Sequence, residues 1–323
     1  HHVLSAMDIG YCYQSHMQSC IMETDKNFIP IQLRMREFPN YFADAEESFN
    51  NADFIIFGLP YDKTSSFRFG ARLAPKEIRK ASWNFESFDM LTGVDFTEVP
   101  MHDYGDLDIE NKDGKEMLES VSRFSKGVIK AKKIPVAIGG EHSVTPGLVE
   151  GFDDVFVISL DAHLDFRDEY EGNGYNHACV SRRVADKVGI DNIAILGVRS
   201  AERKELEKAK EEGLRFFTSR SLSGNMDDML KEISKDIGER RVYLSIDFDV
   251  LDPSYAPGVS TPEPFGLEPY DIIKVIKTFA DRIAGFDLVE VCPPYDFGNT
   301  SILAAKIIRI AIAEIWKALK SGN

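Results

Sequence analysis

A chain of 323 residues, 43% hydrophobic and 28% charged, can bury a large core and reads as globular. Its formal net charge of −15 lacks the basic footprint that nucleic acid and anionic membranes need, and no run of about 18 apolar residues offers a membrane span. Four cysteines (Cys12, Cys20, Cys179 and Cys292) fit neither a zinc knuckle nor a disulfide framework, so a reducing, cytoplasmic compartment is expected.

Residues 1–21 read as a leader outside the fold. His1-His2 has the look of an expression-tag remnant, the stretch to Met22 shows no periodicity, and Met7, Met17 and Met22 are candidate starts. In chain order, Asp53–Leu59 is a buried strand, Lys115–Lys132 a helix, and Ile134–Ile138 and Val155–Leu160 strands. Ala178–Val188 is helical, Asn192–Val198 a strand, and Ala201–Glu212 a charged, exposed helix. Asp227–Ile237 is a helix, Val242–Ile246 a strand, Pro269–Arg282 a helix, Phe286–Val291 a strand, and Ser301–Lys320 a final helix. Alternation of helices with almost wholly apolar strands predicts an α/β fold, its mostly parallel sheet covered on both faces. No linker, charge block or repeat divides the chain, so residues 22–323 are expected to form one domain. In such sheets ligands bind at the carboxyl ends of the strands, and the acidic and histidine motifs fall there.

Asp161-Ala-His163-Leu-Asp165 follows a hydrophobic strand directly. Side chains at i, i+2 and i+4 of an extended backbone project to one side. Three convergent polar groups at a buried strand end are costly unless something binds them, and a metal is the usual solution. Asp247 and Asp249 repeat the spacing after the strand VYLSI, and two such close carboxylates stay ionised together beside a cation. They reach the first cluster if the two strands are neighbours. Asp252, before Pro253, shapes a turn instead. Gly139-Gly140-Glu141-His142-Ser143 ends a third strand, its glycines permitting close backbone approach, His142 offering an imidazole ligand and Ser143 an N-cap. A surface loop is the plainer alternative for any one of these motifs taken alone.

Two divalent cations balance Asp161, Asp165, Asp247 and Asp249, and a bridging hydroxide leaves one negative charge for a cationic substrate to neutralise. The oxygen-rich donor set, free of cysteine, suits manganese better than a closed structural zinc. Two such ions about 3.5–4 Å apart can share one water and generate a nucleophile at neutral pH.

The segments GGEHS, SLDAHLDFRD, SIDFDVLDPSYAPGVSTPEP and DLVEVCPPYD together resemble the ureohydrolase family of arginases, agmatinases and their relatives. GLPYDKTSSFRFGARLAPKEIR is similar to that family's N-terminal motif, and the likeness runs from Phe54 to Ile307. The resemblance implies an α/β/α sandwich and two Mn2+ held by His142, Asp161, His163, Asp165, Asp247 and Asp249, with Asp161 and Asp247 bridging. It implies attack of a bridging hydroxide on a guanidinium carbon. Asp165 counts with the catalytic residues too, His177 carries protons, and Glu290 grips the guanidinium. A homotrimer or homohexamer is implied as well. Glu141 stands where aspartate is common, GARLAP lacks a common glycine before its proline, and Phe265 stands where glycine is common.

Arg167 replaces the asparagine expected of arginases, and Ala-Cys-Val follows His177, as in prokaryotic agmatinases. The expected reaction is therefore agmatine to putrescine and urea, with Asp168, Glu169 and Glu171 available to an ammonium tail. Arg167 would instead suit a carboxylate tail, so guanidinobutyrase, arginase and aminopropylagmatine ureohydrolase stand as alternatives. Rivals of other kinds are a same-fold zinc deacetylase, a binuclear phosphoesterase and a non-catalytic homologue. The first needs a paired-histidine motif and the second a late Gly-His-x-His, and the body of the chain has neither.

Overall fold

Apolar runs too uniformly hydrophobic to face water on either side build the centre of the molecule. The computed structural model describes residues 38–322, and the expected leader, with Cys12, Cys20 and the three candidate start methionines, lies outside them. The strands are β1 (Phe54–Leu59), β2 (Phe88–Asp89), β3 (Val94–Asp95), β4 (Met101–Asp106) and β5 (Ile134–Gly139), then β6 (Val155–Leu160), β7 (Ile193–Val198), β8 (Arg215–Thr218), β9 (Arg241–Asp247) and β10 (Ile283–Val289). β2 and β3 pair as a small antiparallel hairpin. The other strands form one eight-stranded sheet in the order β4-β1-β5-β10-β9-β6-β7-β8, and every pairing in it is parallel.

β1, β6 and β7 are buried at every residue, as two-sided cover requires. Helices 74–82, 226–237, 269–279 and 299–321 pack in one row, and helices 114–130, 145–149 and 180–188 in another, completing the three-layer sandwich. The helix over 114–130 starts at a capping box in which Asp113 and Glu116 hold each other's backbone N–H. The predicted strands and helices all occur, with ends shifted by a residue or two in most cases and by three at most.

Two sheet strands were not expected. β4 (MHDYGD) and β8 (RFFT) lie at the sheet's edges and are partly exposed, so neither carries a continuous apolar run. The helix over Ala74–Ser82 also lacked a strong apolar stripe, because one of its inward residues is charged. Arg79 is buried there, its Nε 2.7 Å and one Nη 3.0 Å from the Asp103 carboxylate. Phe265 adopts φ 64° and is exposed, a left-handed backbone that favours glycine, the residue the resemblance leads one to expect there. Asp252 makes the expected turn, accepting from the amides of Ser254, Phe265 and Gly266. Among the described residues no helix is long and apolar enough to cross a membrane.

Candidate metal centre

Four neighbouring strands, β5, β10, β9 and β6, end side by side on one edge of the sheet. Past β5 come Glu141 and His142, past β10 Glu290, at and after the end of β9 Asp247 and Asp249, and past β6 Asp161, His163 and Asp165. The condition set by the sequence is met, since β6 and β9 pair directly. Backbone conformation departs from the simple extended picture. Asp165 has φ 48° and Glu290 φ 65°, a left-handed region that L residues rarely adopt, so the chain turns at both. The glycines before His142 serve packing within the fold: a Cβ on Gly140 would stand 2.0 Å from the Tyr61 carbonyl oxygen.

Two trios of donor atoms converge: His142, Asp161 and Asp247, and Asp161, His163 and Asp249, each within 4.8 Å. Asp161 belongs to both. His142 Nδ1 lies 3.2 Å from Asp161 Oδ2 and 3.1 Å from Asp247 Oδ2. His163 Nδ1 lies 2.9 Å from Asp249 Oδ2. Asp165 stands just outside the trios, its Oδ2 3.7 Å from His142 Nδ1. Three carboxylates are held alike. Oδ1 of Asp161 accepts from the His163 amide, of Asp247 from the Asp249 amide, and of Asp249 from the Ala162 amide, while each Oδ2 turns to the centre.

The ring of His142 can be assigned by counting protons. Ser245 Oγ lies 2.7 Å from Asp287 Oδ1 and 3.1 Å from His142 Nε2. Its single hydrogen goes to the carboxylate, so it accepts from Nε2–H. Nδ1 then carries a lone pair toward the carboxylates. Among the described residues neither His142 Nδ1 nor Asp161 Oδ2 has a hydrogen-bond partner, so a buried nitrogen and a buried carboxylate oxygen face each other where a proton or a cation would satisfy both. Burial opposes charge on His142, yet Asp161 and Asp247 outweigh it and raise its pKa well above the ordinary imidazole value. Burial, together with the neighbouring carboxylates, pushes Asp247 and Asp165 up. These shifts share one cause, a crowd of buried carboxylates that favours added positive charge, and the nitrogen and oxygen donors fit divalent cations.

Glu290 is buried, and its Oε1 accepts from the His142 amide at 2.6 Å. Burial, with the charges of Glu141 and Asp249, pushes its carboxyl up to about 7. Glu290, His163, Asp165, Asp247, Asp249 and His177 line one pocket. His177 arrives on a loop after β6, its Nδ1 3.2 Å from Thr64 Oγ1 and its Nε2 3.3 Å from Ser66 Oγ. Burial and the nearby His163 bring its pKa down to about 4. Ser143 is no helix cap: the helix of 145–149 starts after Val144, and Ser143 Oγ donates to Glu141.

Several groups that build this site escaped the sequence reading. Ser245 interrupts the apolar run VYLSI, and Asp287 begins DLVEV; a polar residue inside a buried strand was the available signal. Thr64 and Ser66 lie inside a recognised motif but gave no hint of touching His177. Arg199 reaches carbonyl oxygens of Gly197, Asp249, Val250, Leu251 and Glu263, at 2.7 Å from Asp249 and Glu263. Glu205 sits on the helix read as exposed, yet it is buried. It accepts from the Phe166 amide through Oε1, and from Arg167 Nε and the Glu202 amide through Oε2.

The acids proposed for a substrate tail are placed elsewhere. Asp168 pairs with Lys208 and Arg182, Glu169 and Glu171 are exposed, and none of the three lines the pocket. Arg167 does line it, its guanidinium 4.8 Å from the centre of the Tyr170 ring.

Residues 52–313 match the Arginase family. The chain is 37% identical over 270 residues to an N(1)-aminopropylagmatine ureohydrolase of Thermococcus kodakarensis, covering 82% of this chain and 92% of that protein. It is 37% identical over 263 residues to an agmatinase of Pyrococcus horikoshii, covering 80% and 90%. Among solved structures, the agmatine ureohydrolase of Thermoplasma volcanium superposes with a TM-score of 0.85 at 41% identity, covering 88% of this chain and 97% of that one.

Proposed function

The chain belongs to the arginase family, and from that membership we propose that it hydrolyses the guanidino group of agmatine to putrescine and urea. The observation that carries this reading is the convergence of two trios sharing Asp161 beside a pocket lined by Glu290 and His177. His142, Asp161, His163, Asp165, Asp247 and Asp249 would hold two divalent cations, manganese first, Asp161 being the residue common to both trios. Bound there, the pair supplies Lewis acidity and makes water nucleophilic at neutral pH.

The chain's own groups do the rest. Glu290 meets the planar guanidinium, and the arriving cation favours its ionised form. The His142 amide on Oε1 fixes the direction of that carboxylate. His177 faces the same pocket and moves protons from water toward the leaving nitrogen. The hydrogen-bonded Oδ1 atoms of Asp161, Asp247 and Asp249 keep their Oδ2 atoms in place through the reaction.

A second reading rests on Arg167. Arg167 lines the pocket and gives only its Nε to Glu205, so the rest of its guanidinium suits a carboxylate tail. A guanidino acid such as guanidinobutyrate is therefore the alternative substrate. Family resemblance supports a cytoplasmic homotrimer or homohexamer and one domain over 22–323.

The test is urea release after manganese loading from agmatine, aminopropylagmatine, guanidinobutyrate and arginine, with formamide release from formiminoglutamate. Agmatine is expected to give the highest kcat/KM. A guanidino acid in first place would select the second reading, and no product from any of them would refute both.

A further inference from the structure

Glu141 departs from the family's common aspartate, and its longer side chain reaches across to the loop after β1. Its carboxylate is buried and collects four donors. Oε1 accepts from Thr64 Oγ1 and Ser143 Oγ, both at 2.6 Å, and Oε2 accepts from the Thr64 amide at 2.8 Å and from Ser65 Oγ at 3.3 Å. A carboxylate that only accepts suits this arrangement. The hydroxyl of Thr64 therefore spends its single hydrogen on Glu141. Two lone pairs remain on Thr64 Oγ1. One accepts from the His177 amide at 3.0 Å, and the other faces His177 Nδ1 at 3.2 Å. Only Nδ1–H satisfies that contact. Nε2 is left unprotonated, and Ser66 Oγ, an exposed hydroxyl on the pocket wall, lies 3.3 Å from it.

We propose that Glu141 and Thr64 are positioning residues for proton transfer: a carboxylate–hydroxyl–imidazole chain that locks His177 in the Nδ1–H form and presents the Nε2 lone pair to the pocket. The catalytic half of this inference rests on the ureohydrolase reading above. Hydrolysis of –NH–C(NH2)2+ by one water gives urea and –NH3+, so both water protons end on the leaving nitrogen as the carbon–oxygen bond forms and the carbon–nitrogen bond breaks. An imidazole free at Nε2 can take a proton there and hand it to that nitrogen, returning each time to the same neutral form. Nδ1 keeps its proton throughout. The opposite tautomer would point an N–H at the water and could not begin the cycle.

The experiment compares Thr64→Val, Thr64→Ser and Glu141→Gln with the manganese-free wild-type protein by 15N–1H correlation of histidine-labelled rings, the His177 signal being identified by its loss in His177→Asn. Wild type is expected to show His177 protonated at Nδ1. Thr64→Val removes the acceptor, and Glu141→Gln offers an NH2 that lets Thr64 donate to Nδ1; both should shift His177 toward Nε2–H. In the manganese-loaded proteins kcat should fall about a hundredfold in both variants, near the low end of what a positioned proton carrier supplies. KM and metal content should hold, and Thr64→Ser should restore both tautomer and kcat. An unchanged tautomer in Thr64→Val overturns the lock. A shifted tautomer with unchanged kcat overturns the catalytic role. Failure of wild type to release urea from any guanidine would instead refute the ureohydrolase reading, while the ring signals would still read the lock.

Discussion

His142 is buried beneath the centre and His177 lines the pocket beside it, and each is held by a hydroxyl that a buried carboxylate orients. Asp287 and Ser245 hold His142 by Nε2, and Glu141 and Thr64 hold His177 by Nδ1. What differs is the surroundings of the free nitrogen. That of His142 faces Asp161 and Asp247 at the sealed ends of strands, where burial makes unbalanced negative charge expensive. That of His177 looks into an open pocket beside an exposed serine hydroxyl. On the proposed reading, the same orienting device would yield a metal ligand where carboxylates converge and a proton carrier where they do not. Role follows from what the lone pair sees, not from how the ring is held.

That contrast can be broken from its strongest side first. Asp161→Ala removes the carboxylate common to both trios and should strip at least one ion and lower turnover by about three orders of magnitude or more, read by metal analysis and urea release. Two retained ions would take Asp161 out of the ligand set. His177→Asn should keep both ions and lose about 10²–10⁴ in kcat; loss of metal instead would make His177 a ligand and erase the distinction. Asp287→Asn loosens the hold on His142, along with the hydrogen bonds that Asp287 accepts from Tyr243 and Thr145. It should weaken manganese binding by about ten- to a hundredfold with turnover at saturating metal nearly intact, whereas a kcat defect that excess metal fails to rescue would mean that His142 does more than ligate. Arg167→Ala leaves both ring-holding hydroxyls in place. It should shift KM for agmatine within about tenfold, as expected for a partly exposed pair, while a collapse of activity would tie Arg167 to the chemistry.

Sequence periodicity found the strands and helices that carry the centre because a sheet covered on both faces demands unbroken apolar runs. It missed β4 and β8, where an edge relaxes that demand. The five residues that the structure gathers into the two trios, His142, Asp161, His163, Asp247 and Asp249, were legible from spacing at strand ends and from family resemblance. The polar groups that brace the centre and its pocket were not. Ser245, Asp287, Thr64 and Glu205 act through contacts between segments far apart in the chain, and no local pattern encodes those. The acidic run 168–171 misled for the converse reason: its composition suggested a cation site, but Asp168 turns outward to Lys208 and Arg182.

Arg199 ties the end of β7 to the loop carrying Asp249 and to the segment at Glu263 through a fan of carbonyl oxygens. Those carbonyls would otherwise be free to rotate toward an ion or toward solvent. With them committed, the loop behaves as a stiff socket whose shape is set when the protein folds. A stiff socket discriminates ions by radius and preferred coordination geometry and adapts little to a misfit. On the proposed reading, ions could leave and return without the surrounding chain rearranging.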